Sequence, residues 1–189
     1  VRLALLLAEH PLTKCSMTAA FMALLLFHAA RLDARVDGDG VIMLFHQQRA
    51  EDWDLRLMRE AFAWFAKSAE SGEVSRYHAE AMIAAEHCRG KLNGETQWQY
   101  IVGAYDLLCH LAPSPIHELN RAIAIAHQDG APAGLKALTQ IDSSQLAQNY
   151  YLWHATAGEL HSLANNREAA EQALRRAWSL APTSAEKEL

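Results

Sequence analysis

From Leu3 to Leu180 the apolar residues recur three and four positions apart, and only short breaks separate the runs. That spacing lines one face of an α-helix and gives a strand no consistent inner side. Composition agrees, since 35 Ala and 26 Leu stand against only 12 Val and Ile in a chain of 189 residues. Helix formers dominate where a sheet would need β-branched residues. The expected fold class is all-α, made of antiparallel helix hairpins with a core of useful size.

Read along the chain, helices are expected at Leu3 to Glu9, about Ser16 to Ala34, Asp52 to Ala69, Ser75 to Arg89 and Thr96 to Leu111. Others follow at Ile116 to Gln128, Ala133 to Thr139, Tyr150 to Leu163 and Arg167 to Leu180. Breaks fall at Pro11, at Gly72, at Gly90 to Gly94, at Pro113-Ser114-Pro115, at Asp129-Gly130 and at Asn165-Asn166. Ser114 can cap the orphan amides of the helix it precedes, and Pro115 suits the first turn, where its missing N–H costs nothing. One stretch differs: Asp-Gly turn signals lead into Val41-Ile42, so a strand-like turn or small hairpin is expected near 36–45. Two subdomains are read, 1–95 with the Asp-Gly turn and 96–189 with helical repeats, packed as one continuous unit.

The repeats rest on offsets. Gly158, Ala170, Leu174 and Ala177 precede Pro182 by 24, 12, 8 and 5 residues, the small and apolar positions of a tetratricopeptide repeat. Tyr105 and Leu108 precede Pro113 by 8 and 5, and a degenerate middle copy lies around Leu119-Ala122 and Leu135. Small residues at these sites let the two helices of a hairpin approach closely, and neighbouring hairpins then share a core. Asn120 and Arg121 fall inside apolar surroundings, and a polar network tying adjacent hairpins together would satisfy them. An Arg121 turned toward a partner is the alternative.

Several function classes are excluded or left without support. A net charge of −5 argues against a nucleic-acid surface, which needs clustered Lys and Arg. The longest apolar run, Met17 to Phe27, is about half of what a membrane span requires. Cys15, Cys88 and Cys109 are widely spaced, without a CxxC pair, and read as reduced thiols. Among ten histidines no two stand four apart and no Glu-x-x-His occurs, so no metal site is expected. The Asp33-x-Arg35-x-Asp37-Gly38-Asp39-Gly40 run fails as a calcium loop, with Arg35 third and Leu44 twelfth; it is read as a turn. No nucleophile elbow, P-loop or dinucleotide fingerprint occurs, so no catalytic or cofactor-binding residue is assigned and no enzyme activity is expected. Trp53, Trp64, Trp98, Trp153 and Trp178 stand singly along the chain and are read as core anchors.

The candidate functional residues flank the turn: His28, Arg31, Arg35 and Asp37 before it, Gln48, Arg49, Trp53 and Asp54 after it. Two readings stand open. The arginines pin the loop through paired hydrogen bonds, or the loop is a docking surface carried by rigid helices.

Five stretches, taken in order, resemble one family: Leu24-Leu-Leu-Phe-His28-Ala-Ala-Arg31-Leu-Asp-Ala-Arg35; Tyr77-His-Ala-Glu-Ala-Met-Ile-Ala-Ala85; Trp98-x-x-Ile101-x-x-x-Tyr105-Asp106; Leu111-Ala-Pro-Ser-Pro115-x-x-x-Leu119-Asn120-Arg121-Ala122, continued by Gly130-Ala-Pro-Ala-Gly134-Leu135; and Tyr150-x-Leu152-x-His154-Ala155. The likeness is to the tetratricopeptide-like C-terminal extension of extracytoplasmic-function sigma factors of RNA polymerase. Ala29 departs from it, the family having Asp there, as does Gln48-Arg49-Ala50, where the family has Gln-Asp-Arg ahead of Trp-Asp. The resemblance implies a cytoplasmic regulatory domain that modulates transcription initiation. Its partners would be its own upstream sigma domains, core RNA polymerase and possible regulatory proteins, with no direct contact to DNA and no membrane. A free-standing tetratricopeptide adaptor, and a small-molecule sensor or enzyme, are the rival expectations.

Overall fold

A computed structural model describes residues 1–38, 43–141 and 149–182. Among these, nine α-helices and three short 3-10 turns make up the ordered elements, and no sheet forms. The chain divides into two compact units, Val1–Leu111 and Ala112–Leu189.

In the first unit, α1 (Arg2–Glu9), α3 (Leu55–Ser68) and α4 (Arg76–Asn93) pack on α2 (Ser16–Ala29), and α5 (Trp98–Leu111) packs on α4. Helix α2 is apolar almost all round, which is why it can be the centre: Ala20, Met22, Ala23, Leu26 and Phe27 are fully buried. Phe27 meets Phe62 of α3 edge-on at 4.9 Å, and Phe21 meets Tyr77 of α4 at 5.0 Å. Burying a side chain like Phe27 is worth roughly 1.5–3 kcal/mol, so this contact set carries much of the unit. Glu86 of α4 is buried but paired with Arg89.

Two helices depart from the sequence reading. Helix α2 stops at Ala29, short of Ala34, because the Ala30 carbonyl accepts the Asp54 amide at 2.9 Å. The chain then turns through a 3-10 segment, Asp33–Arg35. Helix α4 runs through Gly90 and ends at Gly94, whose φ of 81° suits glycine alone. Gly90 serves packing: a Cβ there would run into Thr96, side chain and backbone both. Helix α5 folds back on α4 within the first unit. The strand-like expectation reduces to extended backbone at Val36 and one hydrogen bond from Met43 N–H to the Arg35 carbonyl, 2.8 Å. Residues 39–42 of that stretch lie outside the described residues.

The second unit holds α6 (Pro115–Asp129), α7 (Ala131–Thr139), α8 (Tyr151–Leu163) and α9 (Arg167–Leu180). Helices α6 and α7 form one hairpin, α8 and α9 another, over a core of Leu119, Ala122, Leu138, Trp153 and Leu160. Ser114 caps α6, accepting the Ile116 amide, and Pro115 opens the helix. Gly134 sits against α6, where a Cβ would fall 2.5 Å from Ala126 Cβ and 2.9 Å from the Ala122 carbonyl. Gly158 sits equally close to Leu174, as the repeat offsets expected. Trp178 does not anchor a core; it is 60% exposed on α9.

Candidate functional site

The residues read from sequence as flanking the turn gather around Arg31. It leaves the end of α2 half-buried, and its guanidinium lies 4.4 Å from the Phe45 ring centre and 5.6 Å from that of Trp53. Its Nε donates to Gln48 Oε1 at 3.2 Å, and its charge acts on the Cys88 thiol of α4. Gln48 is itself buried and donates to the Met43 carbonyl at 3.1 Å. The guanidinium plane thus ties the end of α2 to the 43–53 segment by stacking and a directed hydrogen bond, a task a lysine ammonium cannot perform. Burial lowers the pKa of Arg31, while its contact with Cys88 works the other way. Burial pushes the Cys88 thiol up to about 11, against the opposing pull of Arg31. Cys88 is therefore a neutral thiol near pH 7 and no nucleophile.

His28 and Arg35 form the outer edge. The Arg35 guanidinium, which can only donate, lies 3.0 Å from His28 Nδ1, so that nitrogen accepts. Desolvation, then the charges of Arg35 and Arg31, lower the His28 pKa. The ring is therefore neutral near pH 7, with its remaining proton on Nε2. Trp53 is buried, and its indole N–H has no hydrogen-bond partner among the described residues.

Of the other turn residues, Arg49 and Asp54 make contacts of their own. Asp37 is exposed. Arg49 is exposed and lies 3.7 Å from both Glu51 and Asp52. Asp54 caps α3, accepting the amides of Arg56 and Leu57 at 2.9 and 3.0 Å. Those amides, Leu57 first, lower its pKa. Pro113, Ser114 and Pro115 shape the start of α6, Asn120 and Arg121 are half-buried along it, and Pro182 follows α9. Among the described residues no group of His, Cys, Asp and Glu could hold a metal ion. None of the described helices is long and apolar enough to cross a membrane.

Sequence reasoning missed a groove on the α8–α9 hairpin. It encloses about 590 Å³, with His154, His161, Arg175 and Arg176 around a floor of alanines. The i,i+7 spacing of the two histidines was visible, but the arginines join them only once the hairpin closes. Helix α9 also presents Leu174 and Trp178 to the surface.

A family described as a family of unknown function, DUF6596, matches residues 1–69, the span holding α1 to α3 and the Arg31 clasp. An uncharacterized protein of Rhizobium meliloti (strain 1021) is 31% identical over 164 residues, covering 87% of this chain. The chain spans about 38% of that relative's length. No solved structure matches.

Proposed function

We propose that this chain is the regulatory C-terminal region of an extracytoplasmic-function RNA polymerase sigma factor, working in the cytoplasm by protein–protein contact. The observation that carries the reading is the ordered set of motif matches, above all Leu111-Ala-Pro-Ser-Pro115 followed by Leu119-Asn120-Arg121-Ala122. Helix hairpins closed on small residues are the architecture such an extension calls for. The Rhizobium relative extends well beyond the matched part, leaving room for sigma domains in a protein of that kind. A chain of net charge −5 suits a domain that leaves promoter DNA to other parts of the molecule.

The mechanism is a shift between two arrangements. Contacts made by the extension with the sigma domains, polymerase or a regulatory partner favour either the competent or the silent one. About 3 kcal/mol of difference changes that balance roughly a hundredfold, a reasonable size for one modest interface. The α8–α9 groove, where Arg175 pairs with Glu171 at the rim, offers one surface for such contacts. No catalytic role is assigned.

The test is affinity recovery of the native-length protein followed by mass spectrometry. Peptides of sigma domains upstream of Val1, recovered with core polymerase subunits, are the expected result. A native protein of about this size with no polymerase overturns the reading and favours a free-standing adaptor.

A further inference from the structure

Helix α1 consists largely of strong helix formers, Arg2-Leu-Ala-Leu-Leu-Leu-Ala-Glu9, so propensity accounts for its winding. Propensity does not account for the side it buries. Spacings of three and four place Leu3, Leu6 and Leu7 together on one face, and Ala4 and Ala8 together on another. The alanines are the buried pair, and Leu5 packs partly against the core of the first unit. The other three leucines are 78%, 66% and 46% exposed, and Leu12, just past the helix, is exposed as well. A helix packing only for the sake of this unit would bury the leucines and leave the alanines outside, because apolar area removed from water drives packing. The inverted face is also held in place. The His10 amide donates to the Leu6 carbonyl at 3.0 Å, and the Thr13 hydroxyl donates to the Leu7 carbonyl at 2.6 Å.

No charged residue stands between Leu3 and Leu7, so the face suits an apolar occupant. Size decides which kind. A helix of eight residues is about 12 Å long. Its outer face falls well short of the roughly 800 Å² per partner that a stable interface between separate molecules buries. A tethered occupant needs far less, since a short connection sets an effective concentration in the millimolar range. Helix α1 is the first element described, and the Rhizobium relative, matched over 87% of this chain, is matched over only 38% of its own length. A protein of that kind has further polypeptide to supply the occupant.

We propose that the outer face of α1 seats an apolar helix from the polypeptide that precedes α1 in the native-length protein. Leu3, Leu6 and Leu7 are its contact residues, and the preceding part is thereby packed on the first unit instead of trailing on a free linker. Polymerase plays no part in this contact, which stands apart from the sigma-factor reading.

The test is iodoacetamide labelling of the native-length protein carrying Leu3→Cys or Leu6→Cys, with mass spectrometry at each site. In both variants the introduced thiol is expected to react at least about tenfold more slowly in the folded protein than in urea, at a rate independent of protein concentration. In the 1–189 chain the same thiols are expected to react near the unfolded rate. Cys88, buried in α4, stays silent until unfolding and reports that each variant has folded. Equal rates in folded and unfolded native-length protein overturn the proposal. So does protection that grows with protein concentration, which assigns the face to a second copy. Where neither variant folds, hydrogen exchange of the natural protein decides. The Leu6 and Leu7 amides are expected to exchange at least about tenfold more slowly in the native-length protein than in the 1–189 chain, and equal exchange overturns the proposal.

Discussion

Arg31 shows how one side chain decides a local structure. Its guanidinium touches Phe45, Trp53 and Gln48 at once, so substitution removes stacking and leaves Gln48 Oε1 without its donor. Arg31→Lys keeps the charge and is expected to lose stability all the same, by about 1–3 kcal/mol, read by denaturant unfolding with Trp fluorescence. An unchanged midpoint would mean that the loop is held by something else. Cys88 gives a pH signature. Its pKa in the folded chain is about 11, against about 8.5 for a free thiol. The unfolded chain therefore ionises first, and folding is fully favoured below about pH 8.5 and weakens as pH rises toward 11, on the order of 3 kcal/mol. Tyr105, pushed up to about 12 by burial, extends the decline. Cys88→Ala should be less stable at pH 7 but lose less on going from pH 8.5 to 11. At this scale sequence indicated the turn-flanking His28, Arg31, Arg35, Gln48 and Trp53. It did not reveal Cys88 or Phe45 as the partners, because those contacts come from α4 and from the loop's own path.

Among the elements, glycine separates packing from propensity. A Cβ at Gly134 meets Ala126 and the Ala122 carbonyl, which belong to the body of α6 and cannot move aside. A Cβ at Gly158 meets mainly the end of Leu174, which is 47% exposed and can swing away. Gly103 in α5 meets nothing. Gly134→Ala should thus cost about 1–3 kcal/mol and Gly158→Ala less. Gly103→Ala should stabilise by about 0.5–1 kcal/mol through helix propensity alone. Thermal unfolding of the three variants checks the order; a Gly103→Ala as damaging as Gly134→Ala would contradict it. The hairpin offsets made Gly158 readable from sequence, because a repeat fixes which positions must be small. Gly90 misled, since a glycine in a helical run signals a break as readily as a close contact. The shorter α2 was not readable either: the bond that ends it comes from Asp54, 24 residues away.

At the level of the whole molecule, helix formers, apolar spacing and scarce β-branched residues were enough to reach an all-α chain of hairpins. Composition does not reveal where the chain divides, because a helix joins the unit that buries its apolar face. The proposed role as a modulator of transcription initiation rests on ordered motif matches, on acidity and on hairpin architecture. Run-off transcription tests that most directly, using core polymerase with the native-length protein and with the same protein lacking residues 1–189. The account predicts polymerase association by both and at least a tenfold change in transcript, up or down, when the region is removed. A native-length protein that neither binds core polymerase nor supports a transcript would contradict it.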